Sequence, residues 1–392
     1  MDKVRLGTVM TLHRGYDLPN AQRKSGDVPV ISSSGISGSH SVAKLVGENV
    51  ITGRYGTIGE VFYHNGPCWP LNTTLFVEDF HGNDPKYVAY LLEVMLNALQ
   101  IDGTDKSTVP GVDRNVLHDL VVPYISDLAS QKATTRVLSA IDAKIANNKK
   151  LMAELEETAR LIYDYWFTQF DFPNESGQPY RSSGGKMVWS DELKREIPAG
   201  WKALPLSELC GFKNGVNYDK DSMSGSHCRI VNVRNITSST LFINPSELDE
   251  IDLPANLVKR YSLSGNDILI ARSGTPGAVR LIDEPTGIIF CGFIICCTPN
   301  NGKYRSYLTM ALKRLEGTTA TVTGGSILKN VSQDTLKNVM VVCPPEAVIE
   351  QFNAIIDVML RQIVRIEKEN WKLISLRDWL LPMLMNGQLV VD

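Results

Sequence analysis

Two short segments of this chain share the pattern small-Arg-Xaa-Gly-Thr-Xaa-Gly, which suits a loop that binds anions. They are GRYGTIG, residues 53–59, and ARSGTPG, residues 271–277. Glycines permit tight backbone turns, so that Arg54 or Arg272 can approach a phosphate or a guanine edge. The hydroxyl of the threonine in each loop can donate to phosphate. The alternative is that both arginines cap a strand or pair with a carboxylate of the fold.

Motifs for covalent chemistry, nucleotide hydrolysis and metal binding are missing from the sequence. The segment SSGGK, residues 182–186, lacks the upstream glycine of a phosphate-binding loop, and no Gly-Xaa-Gly-Xaa-Xaa-Gly opens a βαβ unit. The cysteines form no Cys-Xaa-Xaa-Cys pair, and the histidines show no ligand spacing. We therefore expect no active site, cofactor or metal in this chain.

The composition indicates an ordinary globular protein of two or three domains. The chain has 392 residues, of which 43% are hydrophobic and 21% are charged, and its formal net charge is -3. This charge excludes binding of nucleic acid through an overall positive charge, so any phosphate attraction must come from local patches or from partner subunits. Cysteines in apolar runs, together with the absence of a signal peptide and of a membrane-spanning run, predict a cytoplasmic protein.

The sequence contains two copies of one domain. The segment from Leu6 to Gly15 matches that from Leu206 to Gly215 at an offset of 200, and the two arginine loops follow at an offset of 218. Later, KYVAYL at residues 86–91 matches KYRSYL at residues 303–308 at an offset of 217. An ordered series of matches with slowly drifting offsets indicates a duplication.

Each copy is predicted to be a strand-rich domain followed by a long helix. Runs such as VITG, TTLFV and DILIA are rich in β-branched residues, and each domain also contains one helix, with Asp84 before Pro85 as the expected N-cap in the first. We predict an α+β fold with a pseudo-two-fold internal repeat. The predicted boundaries are domain 1 at 1–125, helix 1 at 126–170, a structured linker at 171–200, domain 2 at 201–345 and helix 2 at 346–392.

Both long helical segments repeat apolar residues at alternating spacings of three and four, which is the pattern of a coiled coil. One asparagine in each stripe, Asn148 and Asn370, would fix the register at some cost in stability. The sequence alone allows a parallel pair, an antiparallel pair, or two helices that each pack on their own domain. The narrow, sustained stripes favour mutual pairing. The predicted helix–helix seam consists of Leu138, Ile141, Ile145, Asn148, Met152, Leu155, Ile356, Met359, Ile363, Ile366, Asn370 and Leu373.

Three parts of the sequence resemble the DNA specificity (S) subunits of type I restriction-modification systems. They are the central segment LIYDYWFTQFDFPNESGQPYRSSGGKMVWSDELKREIPAGW, the first-domain pattern VISSSGISGSH…VITGRYGTIGEVFY…WPLNTTLFV, and the closing segment LRDWLLPMLMNGQL. The resemblance covers nearly the whole chain and includes the order of its parts. It implies two target recognition domains, each reading half of a bipartite double-stranded DNA site in the major groove. It also implies that the two helices pair antiparallel and set the unspecified spacer.

The resemblance further implies that this chain is a non-catalytic member of a complex that methylates DNA and defends against phage. Two methyltransferase (modification) subunits would dock on the helices, and restriction/translocase subunits would join that core. The partners, rather than this chain, would use S-adenosylmethionine, ATP and Mg²⁺. Two alternatives remain open: a coiled-coil scaffold without sequence readout, and a stand-alone DNA nuclease or methyltransferase.

The predicted DNA contacts divide into two groups. Loop residues that both copies share are expected to hold phosphates, and polar residues that differ between the copies are expected to read bases. These residues lie in glycine-flanked loops, where side chains reach outward; the alternative for each is a solvated loop residue. The full set is Arg14, Tyr16, Ser33, Ser34, His40, Arg54, Thr57, Lys106, Ser107, Thr108, Lys213, Asn217, Tyr218, Arg234, Asn235, Arg272, Thr275, Ser326 and Lys329.

Overall fold

The computed structural model describes residues 2–55, 59–102, 113–218, 225–316 and 331–391. The chain divides into two compact units, the first formed by Met1–Ala146 with Lys372–Asp392 and the second by Asn147–Trp371. Each unit contains one strand-rich domain and a part of both long helices. The predicted α+β fold with two repeated domains and two long helices is confirmed.

The first domain is built from three small sheets. Its strands are β1 (Asp2–Arg5), β2 (Thr11–Arg14), β3 (Val28–Ser32), β4 (Gly35–His40), β5 (Glu48–Gly53), β6 (Val61–Asn65), β7 (Trp69–Pro70), β8 (Thr74–Asp79) and β9 (Val121–Tyr124). Four strands follow the order β2-β8-β5-β6, three follow the order β4-β3-β7, and β1 pairs with β9. Within the three-stranded sheet β3 and β7 are parallel, whereas β3 and β4 are antiparallel.

The helix α1 (Pro85–Asp102) covers the core of this domain, and the short helix α2 (Arg114–Asp119) precedes β9. Asp84 caps α1, because its Oδ2 accepts a hydrogen bond from the backbone N–H of Tyr87 at 3.0 Å. The predicted N-cap is therefore confirmed. Tyr87 and Leu91 of α1 are fully buried in the apolar core of the first unit.

The long helix α3 (Leu128–Tyr163) comes next and leads through a π-helical turn, Asp164–Thr168, into the predicted linker. Part of that linker is a hairpin of β10 (Met187–Ser190) and β11 (Arg195–Pro198). Asp171 stabilises the linker from within, because its carboxylate accepts hydrogen bonds from the backbone N–H and the hydroxyl of Ser182 at 2.7 and 2.6 Å.

The second domain repeats the strand arrangement of the first. Its strands are β12 (Lys202–Pro205), β13 (Cys210–Asn214), β14 (Ser226–Val231), β15 (Asp249–Leu253), β16 (Ile268–Ala271), β17 (Val279–Arg280), β18 (Ile288–Phe290), β19 (Ile294–Pro299) and β20 (Met340–Cys343). The sheets follow the orders β13-β19-β16-β17, β15-β14-β18 and β12-β20, which match the first domain strand for strand. The parallel pair also recurs, as β14 with β18.

The helices of the second half are mostly short, apart from the last. They are α4 (Leu206–Leu209), α5 (Val233–Ser238), α6 (Ala255–Tyr261), α7 (Arg305–Leu315), α8 (Gln333–Lys337) and the long α9 (Glu346–Met385). Among the helices in the described ranges, none has the combination of length and apolar character that crossing a bilayer requires.

Two glycines that the copies share are explained by close backbone packing. A Cβ at Gly15 would lie 2.0 Å from the carbonyl oxygen of Leu71, and a Cβ at Gly215 would lie 2.2 Å from that of Cys291. Any side chain at either position would collide with the neighbouring backbone. The repeated glycine therefore preserves the same strand contact in both domains.

The two long helices run antiparallel within the second unit. Asn148 of α3 donates a hydrogen bond from Nδ2 to Oδ1 of Asn370 of α9 at 2.9 Å. Farther along α3, the ring centroid of Tyr163 lies 6.4 Å from that of Phe352, which precedes Asn370 in α9. Residue numbers thus rise along one helix as they fall along the other.

The first unit shows the same antiparallel direction. Nη1 of Arg377 in α9 lies 3.4 Å from Oδ1 of Asp142 in α3. Leu138, one turn before Asp142, shares a core with Leu381 and Leu384, which follow Arg377. At about 1.5 Å per residue, the 36 residues of α3 and the 40 residues of α9 extend about 54 and 60 Å.

The residues predicted to form the seam are all at least partly removed from solvent. The buried ones are Leu138, Ile145, Asn148, Met152, Ile356, Ile363 and Asn370. The half-buried ones are Ile141, Leu155, Met359, Ile366 and Leu373. The two seam asparagines hydrogen-bond to each other, so neither leaves its buried carboxamide wholly unpaired.

Candidate nucleic-acid interface

The three-residue turn Leu71–Thr73 is contacted by three of the predicted DNA-binding residues of the first domain. We call it the first central turn, and we call Cys291–Phe293 of the second domain the second central turn. The N–H of Tyr16 donates to the carbonyl oxygen of Pro70 at 2.8 Å, just before the turn. Nε of Arg14 lies 3.4 Å from the carbonyl oxygen of Asn72, and the N–H of Arg54 donates to that of Thr73 at 2.8 Å. Candidates from two separate parts of the sequence, Arg14 and Tyr16 in one and Arg54 in the other, therefore meet at this turn.

The second central turn, Cys291–Phe293, occupies the same place between β18 and β19. The N–H of Arg272 donates to the carbonyl oxygen of Phe293 at 2.9 Å, as that of Arg54 does in the first domain. Asn217 packs against Gly292 so closely that a Cβ at this glycine would lie 1.9 Å from the asparagine Oδ1. The duplicated arginine loop thus belongs to a duplicated backbone arrangement.

The shared arginines differ in the environment of their side chains. The Arg54 guanidinium lies 4.7 Å from the ring centroid of the exposed Tyr55. Arg272 turns inward, where Nη1 donates to the carbonyl oxygen of Gly292 at 3.1 Å. Its Nε is buried and has no hydrogen-bond partner among the described residues. Arg272 therefore fits the alternative in which the loop arginine supports the fold.

Lys44 is a cation near the first central turn that the motif search missed. Its Nζ lies 5.2 Å from the ring centroid of Tyr16 and 5.0 Å from that of Trp69. Cation–π attraction to both rings restrains this exposed side chain. No sequence motif marks Lys44, because both rings are distant in sequence and reach it only in the folded domain.

The side chains of the central turns differ between the domains. Asn72 and Thr73 of the first turn are half-buried, whereas Gly292 and Phe293 hold the corresponding positions of the second, and the Phe293 side chain is 61% exposed. An exposed aromatic ring can contact a thymine methyl group or enter a base step. Comparing the two copies at an offset of 220 would have identified these positions.

Two further candidates of the second domain are tied to neighbours on the surface. Lys213 donates to the carbonyl oxygen of Arg260 and lies 5.5 Å from the ring centroid of Tyr261. Arg234 forms an ion pair with Asp249. The remaining exposed candidates are Arg14, Ser34, Asn217 and Thr275, and the half-buried ones are Tyr16, Ser33 and Tyr218.

Two candidates do not point outward, and their predicted placement is corrected. His40 is 6% exposed, and its Nδ1 accepts a hydrogen bond from the backbone N–H of Lys24 at 3.0 Å. Asn235 is 3% exposed; its Oδ1 accepts from the N–H of Asn232 at 2.8 Å, and its Nδ2 donates to the carbonyl oxygen of Glu247 at 3.1 Å. Both side chains satisfy buried backbone groups instead. The candidates Thr57, Lys106, Ser107, Thr108, Ser326 and Lys329 lie outside the described residues.

Possible metal ligands and buried thiols were compared among the described residues. None of their histidine, cysteine, aspartate and glutamate side chains form a group of three or more that could hold a metal ion. Burial raises the pKa of the Cys296 thiol to about 12 and that of Cys68 to about 11. Both thiols are therefore protonated at neutral pH and are poor nucleophiles.

The chain is similar to proteins of one kind. The family model described as type I restriction modification DNA specificity domain matches residues 1–157 and 198–373. The chain is 25% identical over 317 residues to the type I restriction enzyme MjaIX specificity subunit of Methanocaldococcus jannaschii, covering 78% of this chain and 69% of that protein. It is 20% identical over 316 residues to the HindI specificity subunit of Haemophilus influenzae, covering 68% of each.

A solved structure has the same fold. The type I restriction-modification S subunit from M. genitalium superposes with a TM-score of 0.61 at 17% identity, covering 98% of this chain and 96% of that one. Each range matched by the family model contains one recognition domain and most of the long helix that follows it. The chain therefore belongs to the family of type I restriction-modification DNA specificity subunits, the non-catalytic DNA-recognition components of their complexes.

Proposed function

We propose that each domain reads one half of a bipartite double-stranded DNA site. The observation that carries this proposal is the repetition of one sheet order in two domains whose central turns differ in side chains. A common scaffold with different exposed residues suits two different half-sites, because side chains that contact base edges determine the sequence that is read. Arg14, Lys44 and Asn72 are the contacts proposed for the first domain, and Asn217 and Phe293 those for the second.

The long helices are proposed to set the unspecified spacer and to dock two methyltransferase subunits, which restriction/translocase subunits join. Antiparallel pairing in each unit and the buried asparagine pair support a defined helix register. Exposed apolar side chains on the helices, including Leu161, Ile355 and Val358, provide surface for partners. In this assembly the partners use S-adenosylmethionine, ATP and Mg²⁺.

Exchanging one recognition domain tests the assignment of half-sites. Residues 201–345 would be replaced by the corresponding domain of another specificity subunit, and the hybrid would be assembled with its methyltransferase. We expect one half of the methylated sequence to change completely while the other half and the spacer stay the same. Sequencing that detects methylated adenines measures this directly.

A matched exchange of residues 1–125 should change the opposite half and serves as the reciprocal control. Changes in both halves after either exchange, or in neither, would refute one-domain-per-half-site reading. A full complex that leaves no sequence-specific footprint on DNA would instead favour the scaffold interpretation.

Lys44 and Lys213, which lie against tyrosine rings, are expected to contact phosphates. Lys44→Met and Lys213→Met should each weaken DNA binding by the assembled complex to a similar extent for all sequences. Each should also reduce the slope of log K against log salt concentration by about 1, since one phosphate contact is lost. Titrations at several salt concentrations measure the slope.

Arg5→Met is the control, because Arg5 is exposed and already pairs with Asp119 at 3.4 Å. It should leave the salt slope unchanged. An unchanged salt slope in both lysine variants would show that neither lysine contacts a DNA phosphate.

A further inference from the structure

The second unit contains a polar cavity of about 330 Å³ between α7 and α9. This volume lies in the range of sites that hold small molecules. The cavity is separate from the central turn of its domain, whose residues do not line it. Its charged and hydrogen-bonding lining includes Lys303, Arg305, Ser306, Asn353, Asp357 and Arg361.

Two buried polar atoms in the lining lack partners. Nε of Arg305 and Oδ1 of Asn353 have no hydrogen bond within the part of the chain that the structure describes. The amide nitrogen of Asn353 does have a partner, since Nδ2 donates a hydrogen bond to the carbonyl oxygen of Lys303 at 2.8 Å. Both atoms are enclosed by the protein, so the polar wall of the cavity is incompletely hydrogen-bonded.

Arg305 carries a charge without an ion-pair partner at contact distance among the described residues. Asp357, Asp283 and Asp267 lie near enough to favour its charged form. Burial is the larger influence and lowers the pKa of Arg305. A desolvated charge without a partner is costly to a fold, and water can satisfy its hydrogen bonds but supplies no opposite charge.

The other charges around the cavity are largely committed. Lys303 is bonded to Glu346 and Glu350 at 2.9 and 2.8 Å, and Asp357 accepts a hydrogen bond from Ser306. Arg361, at the exposed rim, makes no ion pair with the residues described. Two guanidinium groups thus remain available to a ligand.

The first domain shows that the fold does not need this polar lining. By the offset of 217 between the copies, Arg305 and Ser306 correspond to Val88 and Ala89. Val88 is fully buried and Ala89 is 8% exposed, so apolar side chains fill the corresponding positions of α1. Arg305 and Ser306 are therefore additions to the shared scaffold, whereas Lys303 has a counterpart in Lys86.

We propose that this cavity binds a small ligand bearing an oxyanion, either a phosphate or a carboxylate group. Arg305 and Arg361 hold the oxyanion. Because the cavity lies between α7 and α9, the ligand also links the second recognition domain to its long helix. The site is independent of base reading, so its test does not depend on the proposed half-sites.

Thermal unfolding of the full chain tests the site, with inorganic phosphate and acetate as probes and chloride at equal ionic strength as the reference. We expect a saturable rise in Tm with one of the two probes, which identifies the class of oxyanion. Arg305→Val, which introduces the residue of the first domain, should abolish that rise.

Arg365→Met is the matched control, since Arg365 is an exposed arginine one turn beyond Arg361 that does not line the cavity. It should keep the full response. Should Arg305→Val fold poorly, Arg361→Met provides the second variant, with an expected tenfold or greater increase in the probe concentration that gives half the effect. The proposal is overturned if neither probe gives a saturable shift, or if the cavity variants respond as the wild type does.

Discussion

Replacing Phe167 with alanine is expected to destabilise the second unit by about 3–5 kcal/mol. The ring is 1% exposed, and its centroid lies 4.8 Å from that of Tyr307 in α7 and 4.9 Å from that of Phe352 in α9. Trp201, which precedes β12, lies 6.0 Å away. The substitution would leave a cavity where the two long helices meet the second domain, and few neighbours could move to fill it.

Denaturant unfolding followed by tryptophan fluorescence would measure this loss, because Trp166 and Trp201 both lie in the affected core. Tyr165→Ala is the control: it removes an aromatic ring two residues away that is 40% exposed and should change stability by less than about 0.5 kcal/mol. Equal effects of the two substitutions would show that the aromatic cluster does not stabilise this junction.

Arg280→Met is expected to cost about 3–5 kcal/mol, because it removes one partner of a buried ion pair. Arg280 is 7% exposed, and its Nη1 lies 3.0 Å from Oε1 of Glu316 at the end of α7. Its Nε also donates to the carbonyl oxygens of Ile236 and Ser239 at 3.1 and 2.9 Å. Methionine retains much of the side-chain volume but satisfies neither the carboxylate nor the two carbonyls.

The same unfolding measurement distinguishes this pair from a surface pair. Arg234→Met breaks the exposed pair with Asp249 in the same domain, which should cost less than about 1 kcal/mol. Combining Arg280→Met with Glu316→Leu should recover part of the lost stability, since the half-buried carboxylate is removed together with its buried partner. Lys313, which also pairs with Glu316 at 3.2 Å, keeps Glu156 at 3.7 Å. If the double variant recovers no stability, the loss in Arg280→Met comes from the two carbonyl groups that no longer have a hydrogen-bond donor.

Local sequence patterns were sufficient to predict the repeat, the two long helices and the helices α1 and α7. The short helices α2, α4, α5, α6 and α8 were not predicted, because one helix was expected in each domain. The 3,4 spacing in α3 and α9 and the N-cap at Asp84 depend on neighbours within a few residues, so the sequence displays them directly. The antiparallel direction was not predictable from periodicity, because a stripe of apolar residues is the same in both directions. It becomes visible only in contacts such as that between Asn148 and Asn370.

The orientation of individual polar side chains was much harder to predict. His40 and Asn235 were predicted to be outward-facing loop residues, yet both side chains are buried. His40 accepts a hydrogen bond from the backbone N–H of Lys24, and Asn235 accepts one from the backbone N–H of Asn232. Lys44 looked ordinary until the fold placed Tyr16 and Trp69 around it. Such roles depend on residues brought together by the tertiary structure, which no local motif encodes.

The way the chain is divided between the units has a consequence for its synthesis. The second unit is one continuous segment, whereas the first needs Lys372–Asp392, whose Leu381 and Leu384 complete a core with Leu138. The ribosome therefore adds all of the second unit before it adds the last helical turns of the first. The domain translated first cannot complete its core until the end of the chain has been made, and in the meantime it exposes apolar helix surface to which chaperones can bind.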